Sequence, residues 1–227
     1  SEEVLAAYPE LSCTGEPYAQ GEFCPGNEQT FRFLETVLDE VMDVFPSEYI
    51  HIGGDEANKE HWKKCPKCQQ RMQEEGLADV DELQSYMIKR MARYVESKGR
   101  KVIGWDEIVE TGLPEQAVVM SWRGTPGGIK ASAEGHDVIM SPNTYLYLDY
   151  YQDLIKKEPK AVGHMQSLRH VYKYNPSDGI APEYHHHILG SQGNLWCELI
   201  PYAAHAEYML YPRTFAIAEI GWTPQED

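Results

Sequence analysis

A chain of 227 residues with 42% hydrophobic, 25% charged and 11% aromatic residues has the composition of a globular domain. That composition excludes a disordered, collagen-like or disulfide-scaffold protein. Thirty-six acidic residues against twenty basic ones leave a formal charge of −16, which repels phosphate backbones and makes nucleic acid and anionic membrane surfaces poor partners.

In chain order, Glu3–Tyr8 reads as the tail of a helix. Residues 28–45 place Phe31, Leu34, Leu38, Val41 and Phe45 at helical spacing until Pro46 stops the run. Tyr49–Gly53 is a short apolar strand. A second helix over 80–98 carries Leu83, Met87, Met91 and Tyr94 and ends at Gly99, a good residue for leaving a helix. Strands follow at Lys101–Trp105 and Ala117–Trp122, a helix at Gly127–Ala133, strands at Asp137–Met140 and Ile188–Gly190, and a helix at Glu207–Ile220. Apolar runs of this kind are expected of parallel strands buried on both faces, and the repeated strand–helix order makes the class α/β, in one domain over residues 1–227. The irregular stretches 10–27, 141–187 and 193–204 are too long for plain connectors and mark functional loops. No apolar run approaches the ~18 residues needed to cross a bilayer. The opening Ser1-Glu2-Glu3 has neither the basic start nor the apolar core of a signal peptide, so none is expected there.

Chemistry-bearing residues recur just after the strands: Asp55 and Glu56, Trp105, Trp122, Tyr147 with Asp149, and Trp196 with Glu198. This is the pattern of a (β/α)8 barrel, whose chemistry sits at the carboxyl ends of its strands. Five strands are legible rather than eight, so the barrel is expected to be incomplete. Adjacent side chains on a regular strand point to opposite faces. Asp55 and Glu56 can therefore share a pocket only where the strand has ended, and Gly53-Gly54 permits that. Two adjacent carboxylates repel each other, which favours a proton on one and suits it to general-acid work. The alternative is an acidic helix N-terminus. Each tryptophan alone could cap a core. Three of them, with Tyr147, on the rim that bears an acid pair read better as a pocket for the apolar faces of sugar rings.

The segments YIHIGGDEA, VIGWDEI, MSWRG, SPNTYLYLDYY, GSQGNLWCELI and YMLYPRTFAIAEIGW resemble, in order and spacing, family 20 glycoside hydrolases, the β-N-acetylhexosaminidases. The resemblance covers essentially the whole chain. It implies removal of terminal, non-reducing β-linked N-acetylglucosamine or N-acetylgalactosamine from glycans by a retaining, substrate-assisted mechanism with an oxazolinium intermediate. It also implies roles: Glu56 as general acid and then base, Asp55 on the acetamido N–H, and Tyr147 on the acetamido oxygen. Trp105, Trp122 and Trp196 would enclose the acetamido methyl, Asp149 and Glu198 would bind the outer hydroxyls, and His51 would order the strand tip. No cofactor and no metal is implied, and the parent's setting would be secreted or periplasmic. A non-catalytic barrel that binds N-acetyl sugars, and a glycosidase with a protein nucleophile, are the competing readings.

By the same resemblance, the chain corresponds to the last five β/α units, with the first three strands and a sugar-gripping arginine absent. Open barrel edges then lead to an expectation of self-association and weak or no activity for this piece alone. Cys65-Pro-Lys-Cys68 looks like half of a zinc knuckle. With no second matching pair, it reads as a structural loop, with a local disulfide next. His185-His186-His187 reads as a solvated loop and Cys197 as packing.

Overall fold

The computed structural model describes residues 2–114 and 116–223. It divides into two compact units, residues 1–117 and 118–227. In the first unit, helix α1 (Glu2–Ala7) leads to α2 (Glu28–Val44), strand β1 (Tyr49–His51), helices α3 (Pro66–Glu75) and α4 (Val80–Ser97), and strand β2 (Lys101–Trp105). Strands β1 and β2 pair in parallel with Ile50 opposite Val102. The helix starts are set by local polar chemistry. Asn27 accepts the Gln29 N–H at 3.1 Å. Asp79 accepts those of Asp81 and Glu82 at 2.9 and 3.0 Å. Each satisfies donors that the first helical turn leaves unpaired. The apolar stripes then bury Met42, Ala92 and Val95 against Ile50 and Val102, the expected use of a 3.6-residue period.

The second unit holds β3 (Val118–Ser121), α5 (Pro126–Ala133), β4 (Val138–Met140), β5 (Tyr150–Tyr151), β6 (Val162–Met165), α6 (Leu168–Tyr172), β7 (Ile188–Ser191), α7 (Ala203–Leu210) and α8 (Arg213–Trp222). Strands β3, β4 and β7 lie side by side in parallel. All four residues of β3 are buried, as a strand covered on both faces requires. Among the described residues, no helix is long and apolar enough to cross a membrane.

Four local expectations need correction. The single helix expected over 207–220 is two helices. Pro212 lacks the N–H that would continue the ladder, and Tyr211 before it is extended, at φ −98° and ψ 140°. The stretch 141–187 is long because it carries β5, β6, α6 and two 3-10 turns. The Cys65–Cys68 segment is not loop: it opens α3, with Pro66 in the first turn and Gly76 leaving the helix at φ 66°. That helix buries little beyond Cys68, so hydrophobic periodicity could not reveal it. The three histidines form a 3-10 turn in which His187 meets Asp137 at 3.0 Å and His185 meets the Ile180 carbonyl at 2.9 Å.

Glu28, at the start of α2, joins three helices. Arg90 of α4 grips it with two bonds of 2.8 and 2.6 Å, Arg71 of α3 also donates to it, and the Arg90 guanidinium stacks on Phe31 at 3.8 Å. The hydrogen bonds from Arg90, and then from Arg71, hold the Glu28 carboxyl at about 2 instead of 4.5. A depressed acid pKa means that the unfolded chain binds more protons. The contribution is therefore complete above pH 4.5 and disappears as pH falls through about 2. Half-exposed charges are screened, so Glu28→Gln is expected to cost about 1 kcal/mol at pH 7. In urea unfolding that difference should shrink steadily between pH 4.5 and pH 2.

Candidate functional site

Strand β1 stops at His51, and after Ile52 come Gly53 (φ 77°) and Gly54 (φ 101°). These left-handed values suit glycine alone. The turn is pinned from several sides. The Gly53 N–H donates to His51 Nδ1 at 3.1 Å, the Gly53 carbonyl accepts from the Trp105 N–H at 2.9 Å, and the Gly54 carbonyl accepts from Gln84 at 2.8 Å. A side chain on Gly54 would meet Ile108 at 2.6 Å. Asp55 and Glu56 then follow, both exposed, with Glu56 itself at φ 47°. A left-handed glutamate is uncommon and costs of order 1 kcal/mol or more, a feature that concentrates at functional positions. Both carboxylates line a cavity of about 460 Å³ together with Glu22, Phe23, Trp62 and Met87.

His51 and Trp105 pack ring to ring at 4.7 Å. His51 keeps exposed surface, yet the partial desolvation of its ring lowers its pKa, against the opposing pull of Asp55. A neutral ring leaves Nδ1 free to accept the Gly53 amide N–H.

The second unit gathers Trp122, Tyr147, Asp149, Trp196 and Glu198. Trp122 lies nearly parallel to Tyr147, with ring centres 6.2 Å apart and 14° between planes. Trp196 meets Tyr147 edge-on at 6.3 Å. Tyr147 bridges in parallel to Asn194, so the loop after β4 and the loop after β7 are tied into one support. Asn194 donates to the Ser141 hydroxyl at 2.8 Å and accepts from Gln192 at 2.7 Å. Tyr147 is 7% exposed, and burial pushes its hydroxyl up to about 12, so it remains a donor across the neutral range.

Asp149 is 5% exposed, and its Oδ1 has no protein partner. Burial first, and then the charge of Glu198, raise its carboxyl to about 6. A buried acceptor left unpaired is costly unless a ligand completes it. Trp196 is 41% exposed and Glu198 is open to solvent. Cys197, expected to pack, is exposed.

Arg213 is the main residue that sequence reasoning missed. It is completely buried and donates to four main-chain carbonyls: Tyr150 at 2.9 Å, Gln166 at 3.2 Å, Leu148 at 2.5 Å and Met209 at 2.6 Å. Burial lowers its pKa to about 10 while Asp149 pulls the other way. A lone arginine inside the apolar run YMLYPRTFAIAEIGW was the available signal.

Residues 1–225 match the model for the glycosyl hydrolase family 20 catalytic domain. A beta-hexosaminidase from Porphyromonas gingivalis is 46% identical over 231 residues, covering 97% of this chain and 30% of that protein. A crystal structure of beta-N-acetylhexosaminidase from Bacteroides fragilis is 33% identical with a TM-score of 0.82, covering 98% of this chain and 46% of that one. The exo beta-N-acetylglucosaminidase from Vibrio harveyi, solved in complex with N-acetylglucosamine, is 30% identical with a TM-score of 0.83, covering 92% and 34%. The fold is thus the family's α/β barrel, of which this chain carries part, and the chain belongs to glycosyl hydrolase family 20. It spans about a third of the length of the first curated relatives it matches.

Two outcomes follow from the second unit. Arg213→Met leaves four buried carbonyls without their donor and should cost about 3 kcal/mol or more in urea unfolding, whereas Phe215→Ala on the exposed side of α8 should change little. For Asp149, the folded pKa exceeds the unfolded value of 3.8. The folded chain thus binds more protons between 3.8 and about 6, and the ionised carboxylate costs stability above that window. Asp149→Asn should therefore melt higher than the parent at pH 7, with the gain vanishing by about pH 3.8.

Proposed function

We propose that the protein to which this chain belongs hydrolyses terminal, non-reducing β-linked N-acetylhexosamine, N-acetylglucosamine or N-acetylgalactosamine, from glycans. The observation that carries the reading is an Asp-Glu pair, in a family 20 chain, set just beyond a strand that two left-handed glycines bring to an end. The relatives named as beta-hexosaminidases support the substrate class.

In this reading the substrate's 2-acetamido oxygen attacks C1 as Glu56 gives its proton to the departing glycosidic oxygen. The C1–O bond to the aglycone breaks, and a cyclic oxazolinium forms. Glu56, now a carboxylate, takes a proton from water, the water oxygen bonds to C1, and the ring oxygen returns to the amide. Configuration is retained and both carboxyl groups end as they began. Asp55 accepts from the acetamido N–H and stabilises the positive charge that develops there. Holding the internal nucleophile over C1 is itself worth much of the barrier, since effective molarities reach ~10⁵ M or more.

Tyr147, held protonated by its burial, donates to the acetamido oxygen. Trp105, Trp122 and Trp196 form apolar walls, and Asp149 with Glu198 takes sugar hydroxyls. The partnerless Asp149 Oδ1 supports that assignment, because a hydroxyl donor would complete it.

Asp55→Asn should lower kcat about 100-fold or more, with KM changed only a few-fold, on p-nitrophenyl N-acetyl-β-glucosaminide. A raised KM with kcat intact would reduce Asp55 to a binding group. Sugar binding without turnover by the unaltered protein would replace catalysis by simple recognition.

A further inference from the structure

Cys13, Cys24, Cys65 and Cys68 come from three separate stretches of the first unit, yet their four sulfurs all lie within 4.8 Å of one another. Among the described residues, this is the group of ligand side chains close enough to share an ion. Cys24 Sγ is 3.7 Å from Cys65 Sγ and 3.6 Å from Cys68 Sγ, and Cys13 Sγ is 3.6 Å from Cys68 Sγ.

A disulfide would bring two sulfurs to about 2.05 Å and leave the others apart. Here Cys24 and Cys68 each have two sulfur neighbours at nearly equal distance, so the set does not divide into pairs. These three separations of 3.6–3.7 Å are instead those of tetrahedron edges. Four sulfurs at the zinc–thiolate bond length of about 2.3 Å are separated by about 3.8 Å along each edge.

The surrounding backbone is shaped to permit this convergence. Cys65 caps α3 and Cys68 stands in its first turn, where the helix dipole favours thiolates. The Cys24-Pro25-Gly26 turn lies directly on that helix start. A Cβ on Gly26 would fall 2.2 Å from the Lys67 carbonyl carbon and 2.4 Å from the Cys68 nitrogen, so only glycine allows the approach. The Cys24 N–H is fixed on the Leu11 carbonyl at 2.8 Å, and Cys13 N–H donates to Gln20 at 3.2 Å. Cys24, Cys65 and Cys68 are buried among Trp62, Val80 and Leu83, which keeps water from the cluster.

We infer that Cys13, Cys24, Cys65 and Cys68 form a structural tetrathiolate site for one zinc-class divalent ion. All four positions are filled by protein, so the site is closed and its role is to hold structure. It ties the segment Cys13–Cys24 to α3. That segment continues directly into the cavity of the acid pair: Gly21, Glu22 and Phe23 line it, Glu22 accepts the Asn58 N–H at 3.2 Å, and the Phe23 carbonyl accepts from Trp62 at 2.9 Å. The ion would brace one wall of that cavity without touching substrate. The half-knuckle in the sequence is completed by two cysteines whose spacing follows no short motif, which corrects the loop reading of Cys65 and Cys68.

The test uses the full chain, purified without chelator or polyhistidine tag. Elemental analysis should find one zinc per chain, and X-ray absorption should give a shell of four sulfurs near 2.3 Å. Cobalt exchanged into the site should show the intense red-region absorption of a tetrahedral thiolate ion. The four thiols should resist alkylation until a strong chelator is added, and chelation should lower the melting temperature by roughly 5–10 °C. Cys13→His preserves a permitted ligand set and should keep the metal, whereas Cys13→Ser should lose or weaken it. Two disulfides in the mass spectrum, four freely alkylated thiols with no metal, or stoichiometric iron would each overturn the assignment.

Discussion

A parallel strand covered on both faces has nowhere along its length to keep a charge. In β2 and β3 every residue after the first is buried, and a carboxylate there would lose its hydration with nothing to replace it. Polar chemistry is therefore confined to the place where the strand ends and the chain turns. The Asp55–Glu56 pair, Trp105, Trp122, Tyr147 with Asp149, and Trp196 with Glu198 all obey this restriction. What differs is how each turn is fixed: two glycines and His51 after β1, and the Asn194–Ser141–Gln192 network after β4 and β7.

The two units also differ in how they carry polarity. In the first, Asp55 and Glu56 stand in water on a backbone held in a strained conformation. In the second, Asp149 is buried, lifted in pKa, and flanked by main-chain carbonyls that the Arg213 guanidinium holds. The first arrangement stores its cost in one left-handed residue, and the second stores it in two desolvated charges. The left-handed Glu56 and the buried Asp149 are features that a purely structural protein would shed, since a smaller or neutral side chain would be more stable at either position.

Much of the architecture was legible because apolar spacing is a strong signal. The stripe of Phe31, Leu34, Leu38 and Val41 marked α2, and the runs at 101–105 and 117–122 marked strands to within a residue at each end. The candidate site residues stood out because they follow those runs at short distances. The failures have physical causes. Helix α3 is polar nearly throughout, so it left no periodic trace. Pro212 divided a helix whose apolar letters continue on both sides. Arg213 does its work through main-chain carbonyls, which no side-chain pattern encodes. The meeting of Cys13 and Cys24 with Cys65 and Cys68 depends on a tertiary turn at Gly26, and local spacing cannot express it.

The buried guanidinium has a consequence for anyone who would transplant the loops that carry Tyr147 and Asp149. Its four carbonyl partners lie in the loop after β4, in β5, in the segment leading to α6 and at the end of α7, so the Tyr147–Asp149 loop and the C-terminal helices are one cohesive piece. A graft that copies the residues around Tyr147 and Asp149 but leaves α8 behind would carry the side chains without the scaffold that aims them. The minimal portable module therefore extends to the helix that looks most dispensable.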